Sequence, residues 1–181
     1  MKNPTRHIAL LAALLAIASF RLLPHPWNMT PVGAIALFGG ATLPGRRAAW
    51  VIPTVILLLG DLVLGFHRLM PFVYGSFALN VGLGLGMRQG WTAGGVMVRS
   101  LVGSLVFFLI TNFGNWACFD TYPKTPAGLL ACYGAGLPFL RNGVAGDLLY
   151  SAVLFGGLWL AERRIPGLRE RSASTLPVPT P

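Results

Sequence analysis

From Ala48 to Asn80 the sequence reads AAWVIPTVILLLGDLVLGFHRLMPFVYGSFALN, two apolar runs joined by the polar corner Phe66-His67-Arg68-Leu69. The first run holds an acid, Asp61, and the second holds Tyr74 and Asn80. Crossing the hydrocarbon core of a bilayer takes about 20 apolar residues per helix. A carboxylate inside such a run costs roughly 2.5–3.5 kcal/mol at mid-span, so it faces a bundle interior or a watery cavity. The rest of the chain is read as the walls, lid and partners of that cavity.

Composition supports a chain built for lipid. Of 181 residues, 54% are hydrophobic and 10% are charged, where soluble domains carry about 25% charge. The sequence is that of an all-α integral membrane protein, with length for one domain and no separate soluble unit. The net charge of +9 would suggest nucleic acid in a soluble protein. Here the basic residues flank apolar runs, so they are read as membrane anchors and no nucleic-acid partner is expected.

The expected domain covers 1–162 and crosses six times, at about 7–23, 32–43, 48–66, 70–87, 95–112 and 142–161. The first run fits a span and also a cleaved signal peptide, since Lys2 and Arg6 precede an apolar core and Ala16-Ile17-Ala18 resembles a cleavage site. Its alanines, Ala9, Ala13 and Ala16, form a small-residue face suited to close helix packing. Pro24, Pro26 and Pro31 exclude a continuous helix through the next corner. The second run is too short to span upright and is expected to be short, tilted or re-entrant. Between the fifth and sixth runs, 126–136 suits a short interfacial helix. The basic, Ser/Pro-rich end, 163–181, is expected to be a disordered tail.

Counting Lys and Arg by side gives the orientation. With six spans, Lys2, Arg6, Arg46, Arg47, Arg88, Arg99, Arg163, Arg164, Arg169 and Arg171 share one side. Arg21, Arg68, Lys124 and Arg141 share the other. Ten against four puts both termini in the cytoplasm.

In this topology the polar residues gather near the outer face. Asp61 lies five residues before Phe66, about 7 Å below the outer end of its helix, and Asp147, five after Asn142, lies at the same depth. Tyr74 begins the fourth run, Asn112 closes the fifth, and Asn115 and Trp116 follow it. Asn80 is about 15 Å deep. Trp27 and Asn28 are placed to cover a pocket from above, and His67 lies at its rim. Two blander readings stand beside this one. The acids cap helix ends, Asp147 in the first turns of its own helix, or they pair with Arg68 and Arg141 at the interface.

Common catalytic signatures are missing. There is no H-E-x-x-H, Cys-x-x-Cys or P-loop pattern, and no nucleophile elbow at Ser76. No catalytic residue is assigned. Cys118 and Cys132 are both read in the outer loop, where a disulfide and two free thiols are equally open.

The segments PHPWNMTPVGAIALFGGA (24–41), LLLGDLVLGFH (57–67), MPFVYGSFALN (70–80), FFLITNFGNWA (107–117) and YPKTPAGLLACYGAGLPFLRN (122–142) resemble a family of small bacterial membrane proteins. That family is similar to the S components of energy-coupling-factor transporters, nearest the solitary cobalamin transporter BtuM. The resemblance implies a six-helix bundle of S-component type in the bacterial inner membrane. It also implies a substrate site near the outer face, no permanently bound cofactor, and a corrinoid as one possible substrate. Ala9, Ala13 and Ala16 fit the face on which an S component docks an ATPase coupling module. One departure is plain: such cobalamin proteins offer a cysteine thiol to cobalt within the cavity, and no span as drawn here contains a cysteine, so metal ligation would fall to His25, His67 or Cys118, or be absent.

The leading expectation is therefore a membrane uptake protein that binds a small vitamin or cofactor from outside. Asp61, Tyr74, Asn80, Asn112, Asn115, Trp116 and Asp147 would line the site. Two alternatives belong to other classes. One is an intramembrane enzyme in which Asp61 and Asp147 share a proton. The other is an assembly subunit without a ligand.

Overall fold

A computed structural model describes residues 3–169, which form six α-helices and no strand. Lys2, Arg171 and the Ser/Pro-rich end of the tail lie outside these residues. The helices are α1 (Pro4–Ser19, continued by a 3-10 turn, Phe20–Leu22), α2 (Val32–Thr42), α3 (Gly45–Leu64), α4 (Met70–Leu85), α5 (Ala93–Cys118) and α6 (Pro126–Arg164). Four stretches are long and apolar enough to cross a membrane: Pro4–Leu22, Gly45–Leu64, Ala93–Cys118 and Pro126–Arg164. This is the pattern of a multi-pass membrane protein. Apolar side chains such as Leu62, Val63, Met97, Val98 and Leu149 point outward, as lipid contact requires.

The helices run alternately up and down. Asn3, Thr42, Arg88 and Glu162 mark one end of the bundle, called the base. Arg21, Asp61 and Tyr74 lie toward the other, the crown. Asn3 holds Gly167 at the base, so both ends of the described chain meet there.

At the centre is α2. It has 11 residues, about 16 Å at 1.5 Å per residue, half the thickness of a hydrocarbon core. Nearly every residue of α2 is buried. It is closest to α4, where Gly40 and Gly84 bring the two backbones together. A Cβ on either glycine would collide with the other helix's main chain.

A helix that stops inside the bundle leaves backbone groups that water cannot reach. Two arginines answer this at the base. Arg88 donates to the carbonyls of Gly40 (3.0 Å), Leu43 (2.5 Å) and Gly45 (2.9 Å). Arg6 donates to Thr42 O and Leu168 O and pairs with Glu162 (3.0 Å). Cations at a helix C-terminus also match its dipole. These arginines are therefore interior fasteners as well as basic residues at a membrane face.

Several expected boundaries change. Helix α5 does not close at Asn112 but runs through Asn115 and Trp116 to Cys118. Its last carbonyls are met by Lys124, which donates to Trp116 O and Phe119 O. The expected interfacial helix at 126–136 and the sixth run are one helix of 39 residues, with Pro138 inside it. Arg141-Asn142 looked like a boundary because it is polar, yet Asn142 is used within the helix to donate to Trp27 O (3.0 Å). The tail begins later than expected: α6 runs to Arg164, and the 3-10 turn Pro166–Leu168 buries Leu168.

Candidate functional site

Helices α5 and α6 pair antiparallel, but their register breaks toward the crown. Gly136 on α6 sits directly against Phe108 and Asn112 on α5. Asp147 on α6 then meets Ser104 on α5, at 2.6 Å. Eleven residues of α6 separate these contacts, but only four of α5 counted from Phe108, or eight from Asn112. The helix carrying Pro138 therefore takes the longer path, and the gap is a cavity of about 40 Å³.

Asp147 forms the floor with Ser104. Thr111 and Asn112 line the α5 side, Asn28 and Thr30 come from the α1–α2 loop, and Phe107, Phe108 and Phe139 supply aromatic walls. Above them Trp27 packs on Phe139, with ring centroids 6.3 Å apart. Asn142 fixes this loop through Trp27 O. Asn28 holds a left-handed backbone (φ 62°), a conformation asparagine adopts more readily than most residues.

Asp147 is not in the first turns of its own helix, because α6 starts at Pro126. It caps a different helix. Its carboxylate accepts from Ser104 Oγ (2.6 Å) and from the backbone N–H of Ala34, in the first turn of α2. Gly33 lies so close to the carboxylate that a Cβ there would push Asp147 out of place. Pro31, at the N-cap of α2, provides no side-chain cap, so the acid supplied by α6 stands in for one.

Asp61 belongs to a separate cluster. It is 1% exposed and pairs with Arg21 (2.5 Å), while Tyr74 Oη donates to its other oxygen (2.8 Å). Arg21 also donates to Leu57 O (3.3 Å) and lies over Gly60. The expected interfacial partners, Arg68 and Arg141, are not those that Asp61 takes. Asp61 and Asp147 share no hydrogen-bonding partner among these contacts.

The remaining candidates scatter. Asn80 is buried between α4 and α5, donating to Ser76 O (3.0 Å) and Gly103 O (3.4 Å). Asn115 approaches Cys132 Sγ (3.6 Å). Trp116 donates to Pro123 O (2.8 Å) outside the cavity. His67 is exposed in the α3–α4 corner, and His25 is within 2.6 Å of Leu23 O. Ala9, Ala13 and Ala16 line a groove of about 280 Å³ between α1 and α6. Of the expected site, only Asn28, Asn112 and Asp147 line one cavity, with Trp27 above it.

Both cysteines are free. Cys132 is not in a loop; it is buried in α6 beside Asn112 O (3.5 Å). Among the described residues no three of His, Cys, Asp and Glu gather as a metal site.

Sequence reasoning passed over Ser104, Thr111, Thr30 and Phe139, and counted Arg21 only as a charge. A signal for two of them exists. Ser100, Ser104, Thr111 and Asn115 recur on one face of α5 at helical spacing, and Asp147 and Ser151 do so on α6. The stripes meet at Ser104–Asp147 and at Ser100–Ser151 (3.0 Å).

Residues 1–168 match the family of unknown function DUF6580. No curated protein and no solved structure matches the chain. The chain belongs to the DUF6580 family.

Proposed function

We propose that this DUF6580 member is an inner-membrane uptake protein of the S-component kind, which captures a small vitamin or cofactor at the crown. The observation that carries the reading is the cavity between α5 and α6. It has a carboxylate floor, amide, hydroxyl and aromatic walls, and a cover made by Trp27 and Asn28. Ligand sites are commonly concave, mostly apolar and fitted with a few placed polar groups.

Orientation supports capture from outside. Among the described residues, Arg6, Arg46, Arg47, Arg88, Arg99, Arg163, Arg164 and Arg169 lie on the base half. Arg21, Arg68, Lys124 and Arg141 lie on the crown half. Eight against four supports a cytoplasmic base with the cavity toward the outer face. Energy for release inward would come from an ATPase coupling module, with Ala9, Ala13 and Ala16 on the docking face.

The size of the cavity shapes the substrate. Drug-sized ligands occupy roughly 300–1,000 Å³, far more than is open here. A corrinoid would require the α1–α2 loop to lift away. A smaller molecule, or one that leaves part of itself outside, suits the site better. The enzymatic reading has less support, because each acid has its own set of partners.

The test is thermal unfolding of detergent-purified protein with a panel of vitamins that includes cobalamin and cobinamide. A ligand at 100 times its Kd should add about 2.7 kcal/mol of apparent stability. Stabilisation that Asn112→Ala weakens supports the site. Stabilisation by no member of the panel removes the vitamin reading.

A further inference from the structure

We infer that the cavity selects a primary ammonium group on a molecule with a flat apolar body. This rests on the capture reading and names its substrate class.

The donors on the α5 wall point away from the cavity, and Asn28 and Thr30 line it from the α1–α2 loop. Ser104 Oγ lies 2.6 Å from Asp147 Oδ2 and 3.0 Å from Ser100 O, so its proton goes to the acid or the helix. Thr111 donates to Phe107 O (2.7 Å), and Asn112 turns its amide nitrogen to Phe108 O (2.9 Å). What these side chains leave for a guest is acceptor capacity: two hydroxyl oxygens, an amide oxygen and a carboxylate. A carboxylate offers about four lone-pair sites, and Ser104 and Ala34 take two.

Charge points the same way. Asp147 is the one ionisable residue among the lining side chains. Its two protein partners, Ser104 Oγ and the Ala34 N–H, are donors, and it stands at the N-terminus of α2. A guest carrying positive charge and several N–H donors complements this lining, and an anion does not. An ammonium brings three donors and no acceptor. The aromatic walls add attraction for a cation beside a ring face.

Volume limits the head group. At roughly 10–15 Å³ per water-sized site, about 40 Å³ admits an ammonium but not a quaternary head. The body of the guest then lies toward Phe139 and Trp27, where flat apolar surface is available.

Benzylamine, benzyl alcohol and benzoate share a ring and differ in the charge of the head group. Binding of each to the full-length protein in detergent is followed by thermal unfolding, in wild type, Thr111→Val and Asp147→Asn. Benzylamine should bind at least about tenfold more tightly than benzyl alcohol, with benzoate weakest. Asp147→Asn should remove the preference. Should that variant fail to fold, Thr111→Val, which keeps the shape and removes an acceptor, should weaken benzylamine and spare the alcohol. Equal binding of amine and alcohol, or preference for benzoate, overturns the inference while capture stands. A vitamin that binds where benzylamine does not also overturns it alone. If neither the three probes nor any vitamin binds, both readings fall.

Discussion

Asp147 of α6 accepts a hydrogen bond from the backbone N–H of Ala34, in the first turn of α2. This contact, with Arg6 and Arg88 at the opposite end, gives the central helix an anion at its N-terminus and cations at its C-terminus. A helix too short to reach water at either end is thereby completed by its neighbours. The same carboxylate forms the floor of the cavity, so the element that organises the core also shapes the candidate site.

The match of charges to α2 can be tested from both ends. Asp147→Asn keeps the shape and removes the charge, and should cost about 1–2 kcal/mol, the upper range for a partly buried charge at a helix terminus. Arg88→Met leaves the Gly40 and Leu43 carbonyls, shielded in part from water, and the exposed Gly45 carbonyl without their donor, and should cost more, roughly 1–3 kcal/mol for each of the two shielded groups left unsatisfied. Unfolding of the two variants in detergent gives the order. Arg88→Met as stable as wild type would contradict it.

The Gly40–Gly84 approach predicts that Gly84→Ala is destabilising even though alanine is the better helix former. Its Cβ would meet Leu37 O and Ala41 N, and overpacking of this kind costs typically about 1–3 kcal/mol. Gly82→Ala, two residues away in the same helix and facing open space, is the control and should be neutral or stabilising.

Arg21 and Asp61 should show strong coupling. Removing one partner of a buried ion pair costs about 3–5 kcal/mol, whereas replacing both with apolar residues is often neutral. Asp61→Leu and Arg21→Met should each be poorly stable and the double variant substantially recovered. Tyr74→Phe, which loses one hydrogen bond to Asp61, should cost about 1 kcal/mol. Additive single-site costs would show that the pair does not act as a unit.

Cys118 and Cys132 are both free, so alkylation of the unfolded protein without reductant should label two thiols. In the folded protein Cys132 should stay unlabelled, because it is 1% exposed in α6. A mass two hydrogens lower before reduction would mean a disulfide instead.

Much of the architecture was legible in the sequence. The six apolar runs, the short second helix and the shared side of the described ends follow from run length, prolines and the placement of arginines. The site was less legible because it depends on register. Depth along each helix put Asp61 and Asp147 in one layer, but depth says nothing about which neighbour each acid faces. Asp61 turns to Arg21 and Tyr74, and Asp147 to Ser104 and α2. The polar pair Arg141-Asn142 suggested a helix start, although a loop carbonyl, Trp27 O, uses Asn142 within a continuous helix. Serine and threonine carry no charge to mark them within an apolar run, yet on α5 Ser104 and Thr111 form the wall of the cavity.

The measurement that bears most directly on the account is the accessibility of a cysteine placed in the cavity. Thr111→Cys in a Cys118→Ser background would be treated with a small, membrane-impermeant methanethiosulfonate reagent, in right-side-out and in inverted vesicles. The account predicts reaction in right-side-out vesicles alone, slowed by a bound ligand. Reaction from the inverted face alone, or equally from both, would contradict a covered cavity that opens to the outside.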